Sequence, residues 1–368
     1  MGDKAQERQV QGIPGAYFWA TLLTSGIMRK VFTYLFYIIL TGCLAGTAFL
    51  WIVVFKPNVK PDDPLRIYLP TGSSFENLLD TLKSSGAIRN ERNFLVTARL
   101  KSFDRSLKPG SYVIEPGMNN NEIVNMLRSG RQAPVNVTFS NIRTLDELAA
   151  KIGSQIEAGP EALSRFFDDE NNYSADGFTR QTVISVFLPD TYQLYWNLDP
   201  KGFYRRMLRE YNLFWNDERI ASAKALNLTP VEVSILASII MEEAAREDEM
   251  PRIAGVYINR LREGIPLQAD PTVKFAVNDF TIRRVLNEHL EVDSPYNTYK
   301  YSGLPPGPVR CASKTALEAV LKAEKHDYLF FVAKADFSGY HHFSRTLSEH
   351  NRYAAAYRRE LNKRRIYQ

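Results

Sequence analysis

The stretch SILASIIMEEAARED, Ser234–Asp248, sets two adjacent glutamates at the end of an apolar run. The sequence T-P-x-E that begins at Thr229 has the spacing of a helix start, with a cap residue, a proline and a glutamate. At about 100° per residue, Glu243 lies about 20° from Leu236 at the centre of the apolar stripe, and Glu242 lies about 120° from it. The sequence therefore predicts a core-facing helix in which Glu243 points inward and Glu242 lies at the edge.

The two acids call for different explanations. Glu242 is followed four residues later by Arg246, the favourable order for a surface ion pair on a helix. Glu243 has no such partner, and a buried carboxylate is costly unless it is paired or protonated. Burial raises the pKa of a carboxyl group, and one that is protonated near neutral pH can act as a general acid. Glu243 is therefore the candidate catalytic residue. The alternatives are an early helix end that leaves it solvated, or a pair with a buried arginine such as Arg260.

An uncharged segment near the N-terminus, Phe32–Phe55, is long enough to cross a bilayer. Basic residues flank it more heavily on the N-terminal side: Lys4, Arg8, Arg29 and Lys30 before it, Lys56 and Lys60 after it. This pattern predicts a single-pass membrane protein with a cytoplasmic N-terminus and the remainder outside the cytoplasm; together with the family resemblance given below, it implies the inner (cytoplasmic) membrane and a periplasmic catalytic domain. The alternatives are a cleaved signal peptide and lipoprotein processing at LTGC before Cys43. The length of the run and the apolar sequence after Cys43 favour an uncleaved anchor.

Short strand–turn–helix patterns follow the anchor and begin at Arg66, Ser111 and Val135. Each predicted helix has a cap residue with a glutamate three positions later, in the pairs Ser73/Glu76, Asn119/Glu122 and Thr144/Glu147. A further helix over residues 90–101 gives the order βααβ, which resembles a LysM-like module. A glycan-binding role and a plain spacer role both remain open for it, because a fold does not fix a function.

The rest of the chain is predicted to be mainly helical with a small β element, so the fold class is α+β. The strand candidate DYLFFVAKA and the following YHHFSRT form a predicted hairpin. The predicted division is a cytoplasmic segment over 1–31, a transmembrane helix over 32–55, a linker over 56–64, a LysM-like α/β region over 65–158, a connecting segment over 159–180 and a catalytic domain over 181–368.

Composition and motifs exclude several classes of function. A net charge of +5 spread over 368 residues is too small and too scattered to indicate a nucleic-acid-binding protein. His341, His342 and His350 do not have the spacing of a metal motif, so no metal is expected. The sequence has neither a P-loop nor a G-x-S-x-G elbow, and no cofactor is expected.

Five motifs occur in a fixed order: FLPDTY, SILASIIMEEA, AGVYINRLREGIPLQADPTV, SPYNTYKYSGLPPGPV and GYHHFSRTLSEHN. In this order they resemble the YceG-like family of membrane-anchored endolytic murein transglycosylases, closely over residues 187–351 and loosely over the LysM-like region. The resemblance implies a lysozyme-like catalytic domain that cleaves the MurNAc–GlcNAc β-1,4 bond inside peptidoglycan glycan strands. One carboxylic acid acts first as acid and then as base, and the products carry 1,6-anhydro-MurNAc ends. The resemblance also implies termination of strand elongation beside peptidoglycan polymerases.

The family pattern assigns site residues by position. Its Glu-x-Glu helix places the catalytic acid at Glu243 and leaves Met241 at the first glutamate position, where this chain departs from the family. The substrate-binding positions implied by the resemblance are Gln268, Asp270, Tyr296, Asn297, Thr298, Tyr299 and His341. A structural turn or tight loop packing is the alternative for several of them. Two other functions stay open: a non-catalytic wall-binding scaffold, and a water-using muramidase with Asp270 as second carboxylate.

Overall fold

The computed structural model describes residues 26–103, 106–282 and 284–364, and the chain forms two compact units, Met1–Gln132 and Ala133–Gln368. Each unit has a hydrophobic core of its own. The chain is mixed helix and strand, as the sequence predicts, with helices predominating.

The first unit begins with helix α1, Gly26–Phe55, which is long and apolar enough to cross a membrane. The helix predicted over 32–55 is therefore present and begins earlier than expected. Its apolar side chains are mostly exposed in the folded chain, as in Ile38 and Phe49. Soluble domains rarely expose so large an apolar surface, whereas the acyl chains of a membrane would bury it. The basic Lys4 and Arg8, on which the predicted orientation partly depends, lie outside the described residues.

The remainder of the first unit has the predicted βααβ order, followed by one more helix. Its elements are β1 (Leu65–Leu69), α2 (Phe75–Ser84), α3 (Glu91–Leu100), β2 (Gly110–Ile114) and α4 (Asn120–Ser129). The two strands pair antiparallel, with Ile67 opposite Tyr112. The cap that Asn119 and Glu122 form at α4 is confirmed. The cap predicted for α2 is wrong by one residue, because Ser74 and not Ser73 accepts the hydrogen bond from the backbone of Asn77.

The second unit is mainly helical with two small antiparallel sheets. Its elements are β3 (Val135–Phe139), α5 (Leu145–Gly153), α6 (Gly159–Asp168), β4 (Asp190–Leu194), α7 (Pro200–Phe214), α8 (Asp217–Ala225), α9 (Pro230–Glu243), α10 (Met250–Glu263), α11 (Asp270–Ala276), α12 (Asn287–Leu290), α13 (Lys314–Leu321), β5 (Phe330–Ala333), β6 (His341–Ser344) and α14 (Leu347–Lys363). Helix α9 is the central element, because every residue from Val233 to Ile240 is buried. The predicted hairpin is confirmed as β5 and β6.

The structure places two segments differently from the predicted division. Strand β3 pairs with β4, Val137 opposite Tyr192, so residues 133–158 belong to the second unit and not to the unit that contains β1 and β2. Residues 159–180 form α6 and short turns, and Phe167 and Tyr173 from this segment lie in the second unit's core. A local strand–turn–helix pattern predicts a strand but does not identify the strand that pairs with it, because the two partners are distant in sequence.

Candidate active site

Glu243 is the last residue of α9. The helix starts at a capping box formed by Thr229 and Glu232, as predicted, and ends where Ala244 turns to an extended conformation. The early helix end does not leave Glu243 solvated. Its side chain faces a pocket of about 290 Å³ that lies within the second unit. The lining residues come from six parts of the fold: Glu243, Tyr257, Arg260, Leu267, Gln268, Asp270, Tyr299, Phe330, Phe331, Leu347 and His350.

The environment of Glu243 favours the protonated carboxyl. Burial raises its pKa to about 7, and the negative charge of Asp270 acts in the same direction. The side-chain hydrogen bond with Tyr257 opposes the shift, since a donated proton stabilises the carboxylate. A carboxyl group that titrates near 7 can both donate and accept a proton at neutral pH.

Helix α10 supplies two residues of the pocket that the sequence did not single out as site residues, Tyr257 and Arg260. Arg260 does not pair with Glu243, the alternative left open above. Its guanidinium donates hydrogen bonds to the carbonyl oxygens of Leu329 (2.6 Å), Leu267 (2.9 Å) and Pro266 (3.1 Å). These bonds tie the segment before β5 to the segment before α11, and both segments form walls of the pocket. Tyr257 and Arg260 are three residues apart and therefore share one helix face, and this spacing is the signal in the sequence that could have identified them as site residues.

Gln268, Asp270 and Tyr299 are brought together with Glu243, as the family positions imply. Gln268 has a backbone φ of 53°, an uncommon conformation for a residue other than glycine. Its N–H donates to the carbonyl oxygen of Thr298 at 3.0 Å. The hydroxyl of Tyr299 donates to the carboxylate of Asp270 at 2.6 Å. The strained residue and the short bond fix the position of Asp270 beside Glu243, and such strain is often found at functional sites.

Asn297 and Thr298 lie beneath this wall and are fully buried. The amide of Asn297 donates to the carbonyl oxygens of Leu290 and Val292, at 2.8 and 2.9 Å. The hydroxyl of Thr298 accepts a hydrogen bond from the N–H of Ala269 at 3.0 Å. Their polar groups hold the loop together, which is the structural alternative considered for this motif.

Tyr296 and His341 do not line the Glu243 pocket. Tyr296 faces a second pocket on the same unit. His341 is held by Glu249, whose carboxylate lies 2.8 Å from Nδ1 of the imidazole and accepts from the His341 backbone N–H. The His341 ring packs edge-on against Phe331, which does line the pocket. The contact of His341 with the site is therefore indirect, through Phe331.

The three histidines considered for a metal have separate surroundings. His342 stacks on Tyr353 with ring centroids 4.2 Å apart, and His350 packs against Phe330 in the wall of the Glu243 pocket. Within residues 26–103, 106–282 and 284–364, no three histidine, cysteine or acidic side chains are grouped as metal ligands.

Glu242 is where the sequence prediction was wrong. The helix ends at Glu243, so Arg246 does not lie one helical turn from Glu242. Arg246 instead donates to the carbonyl oxygen of Ser338. Glu242 accepts from Arg143 at 2.9 Å and from the buried Arg310 at 2.5 Å. Adjacent glutamates thus have opposite surroundings: one bound by two cations, the other in a pocket beside another acid.

A family model of the YceG-like family matches residues 67–356 of the chain. This chain belongs to the YceG-like family. An endolytic murein transglycosylase of Bacillus subtilis (strain 168) is 31% identical over 330 residues, which cover 84% of this chain and 89% of the relative. An endolytic murein transglycosylase of Streptococcus pneumoniae (strain ATCC BAA-255 / R6) is 27% identical, and the match covers 89% of this chain but 65% of that longer protein.

A crystal structure of a putative YceG-like protein from Listeria monocytogenes matches with a TM-score of 0.53 and 28% identity. The match covers 79% of this chain and 99% of that one. Family membership extends over both compact units, because the matched residues 67–356 include half of the first unit and most of the second.

Proposed function

We propose that this protein is an endolytic lytic transglycosylase that cleaves the MurNAc–GlcNAc β-1,4 bond of nascent peptidoglycan strands, and that Glu243 is its catalytic acid and base. The observation that carries the proposal is the Glu243 carboxyl, whose pKa is raised to about 7 by burial and which lines a pocket together with a second acid, Asp270. The names of the relatives, endolytic murein transglycosylases, support the same reaction.

The chemistry follows from a single carboxyl group. Protonated Glu243 donates its proton to the glycosidic oxygen, and the bond from that oxygen to C1 of the muramyl sugar breaks. The carboxylate then accepts the proton of the C6 hydroxyl of the muramyl sugar. The oxygen of that hydroxyl bonds to C1, which leaves a 1,6-anhydro end. One proton is given and one is recovered, no water is consumed, and no cofactor is needed. A pKa near the working pH makes both transfers efficient.

Asp270 supports this scheme in two ways. Its negative charge helps keep Glu243 protonated before the reaction. The same charge stabilises the positive character that develops at C1 when the glycosidic bond breaks. The alternative of a water-using muramidase would assign Asp270 a role in activating water. Its hydrogen bond from Tyr299 occupies one carboxylate oxygen and favours the electrostatic role.

We propose the remaining organisation on the family resemblance. The first unit's elements β1 to β2 act as a LysM-like module, and the second unit acts as a lysozyme-like catalytic domain. Residues 32–55 anchor the chain in the inner membrane with the N-terminus cytoplasmic and the catalytic domain periplasmic. The enzyme then acts beside peptidoglycan polymerases where strands emerge and ends their elongation. Among the substrate-binding positions, Gln268, Asp270 and Tyr299 have the strongest support because they share the pocket of Glu243.

The test is to incubate the detergent-solubilised chain with purified peptidoglycan and to measure product masses. Anhydro ends are expected, and the Glu243→Gln variant is expected to lose the activity by about 10²–10⁴-fold, the range of general acid–base catalysis. Products heavier by one water would establish the muramidase instead. Strand binding without cleavage would establish the scaffold. Unchanged cleavage by the Glu243→Gln variant would remove Glu243 from the mechanism.

A further inference from the structure

A second pocket on the catalytic unit, of about 240 Å³, shares no residue with the pocket of Glu243. We call it the arginine pocket. Its lining combines two guanidinium groups, hydrogen-bonding side chains and two aromatic rings: Arg143, Thr144, Leu145, Asp146, Arg180, Gln181, Ile184, Phe275, Tyr296 and Pro308. It contains Tyr296, one of the family positions that do not line the pocket of Glu243.

The arginine pocket is built from the same elements as the Glu243 pocket. Helix α11 contributes Asp270 to one and Phe275 to the other, about 7.5 Å apart along the helix axis. The loop of the SPYNTY motif contributes Tyr299 to one and Tyr296 to the other. Because the two pockets flank one helix and one loop, a branched polymer bound at Glu243 can reach the arginine pocket with a neighbouring group.

The wall around Tyr296 requires a glycine at position 307 of the GLPPG motif. A Cβ there would lie 2.1 Å from the carbonyl oxygen of Gln181 and 2.9 Å from the hydroxyl of Tyr296. Only glycine lets these two segments approach so closely, and this packing fixes Tyr296 and Gln181 in the wall.

Three arginines and three acids lie in or next to the arginine pocket. Arg143 and Arg310 share one carboxylate, that of Glu242, so this cluster keeps one net positive charge. Arg180 pairs with Asp168 at 2.9 Å, and both side chains are about half exposed, so water screens that pair. Asp146 is the one acid in the lining and balances the remaining positive charge, so a bound anion would be held by guanidinium hydrogen bonds and not by a surplus of charge.

The guanidinium groups also have donors to spare. The side-chain hydrogen bonds of these two arginines to other described residues use Nη2 of Arg143 and Nη1 of Arg180. A guanidinium carries five N–H donors in a planar fork that matches a carboxylate. The aromatic pair Phe275 and Tyr296, with ring centroids 4.7 Å apart, and the apolar Ile184 offer contacts for methyl groups beside that carboxylate.

The substrate class of the proposed function supplies a group of this chemistry. Glycan strands of peptidoglycan carry short peptide stems, which present free carboxylates and alanine methyl groups. We propose that the arginine pocket binds a peptide-stem carboxylate, so that the enzyme recognises strands that carry stems. This inference rests on the proposed function for its substrate, and its binding measurement below is independent of cleavage.

The cleavage test compares stem-bearing glycan strands with the same strands stripped of stems by an amidase. The variant is Arg180→Gln in the full chain. The matched control is Arg252→Gln, because Arg252 is similarly exposed and also pairs with one acid, Glu324 at 2.7 Å, outside both pockets. We expect Arg180→Gln to raise the ratio of KM on stem-bearing strands to KM on stripped strands about tenfold, the effect of losing one charge-assisted hydrogen bond. Arg252→Gln should leave the ratio unchanged. An unchanged ratio in Arg180→Gln, or an equal change in the control, would overturn the proposal.

The binding test uses a soluble stem tripeptide, L-Ala-γ-D-Glu-diaminopimelate, titrated calorimetrically into the full chain, with its carboxyl-amidated form as comparison. Amidation and Arg180→Gln should each weaken binding about tenfold, and Arg252→Gln should not. Equal affinity of the two peptide forms contradicts the proposal. A second result would also contradict it: the tripeptide does not bind, and Arg180→Gln weakens the binding of an acetamido sugar, triacetylchitotriose. If neither the unmodified protein nor any variant cleaves a strand but the tripeptide binds as expected, the proposed reaction is wrong and the proposed binding site for a carboxylate is supported.

Discussion

Replacing Glu243 by glutamine should stabilise the protein at alkaline pH while it removes activity. The folded protein holds the Glu243 proton up to a pKa of about 7, whereas an unperturbed glutamate has a pKa of 4.5. Between these two values the folded state retains a proton that the unfolded chain has lost. Stability contributed by this group is therefore full below pH 4.5, declines as the pH rises toward 7, and is at its minimum above 7.

The magnitude follows from the same pKa. At 1.36 kcal/mol per pH unit, the difference between 4.5 and about 7 corresponds to about 3 kcal/mol. Glutamine is never charged, so Glu243→Gln should raise the free energy of unfolding by up to about 3 kcal/mol at pH 8 and by about zero at pH 4. Glu242→Gln is the matched control. It leaves Arg310, which is buried, without its carboxylate, and should lower the free energy of unfolding by about 3 kcal/mol at pH 8.

The assay is urea unfolding of the detergent-solubilised chain at pH 4, 6 and 8, followed by the fluorescence change of Trp215, which is buried in the second unit. The two adjacent substitutions should have opposite signs at pH 8. A stabilisation by Glu243→Gln that does not depend on pH would refute the reasoning, because removal of a buried charge must act only where that charge exists. A destabilisation at pH 8 would show that the carboxylate is satisfied by a partner.

Other substitutions and conditions test the site from different sides. Cleavage should decline as the pH rises, with a midpoint near 7, because the first step needs protonated Glu243; a flat rate from pH 6 to 8 would contradict this assignment. Tyr299→Phe removes the donor to Asp270 and leaves a fuller negative charge beside Glu243, so the alkaline midpoint should move up by about 0.5 pH units; a downward shift would be inconsistent with the charge argument. Glu249→Gln weakens the bonds that hold His341, and should lower the unfolding free energy by about 1.5–3 kcal/mol in urea titrations, while an unchanged midpoint would show that the pair is not stabilising.

Local rules in the sequence were sufficient for the elements around Glu243. The capping box at Thr229 and the apolar stripe predicted α9 and the inward position of Glu243, because both signals are read within one or two helical turns. Helix α10 likewise ends by a local rule, at Gly264 with a left-handed φ of 69°, a conformation that glycine adopts readily. The family motifs added Gln268, Asp270 and Tyr299, which share the pocket.

Tertiary structure decided what depends on distant partners. The sequence paired Glu242 with the nearby Arg246, but its cations, Arg143 and Arg310, lie far away along the chain on either side. It grouped Tyr296 with Tyr299, but the backbone of that loop turns the two rings into different pockets. By itself, the sequence determined the apolar N-terminal helix, the helices of the second unit, and which of two adjacent acids would face the pocket. Only the folded chain decided which charges meet. Ion pairs and pocket walls form between segments that are distant in sequence, and their separation along the chain does not predict their distance in space.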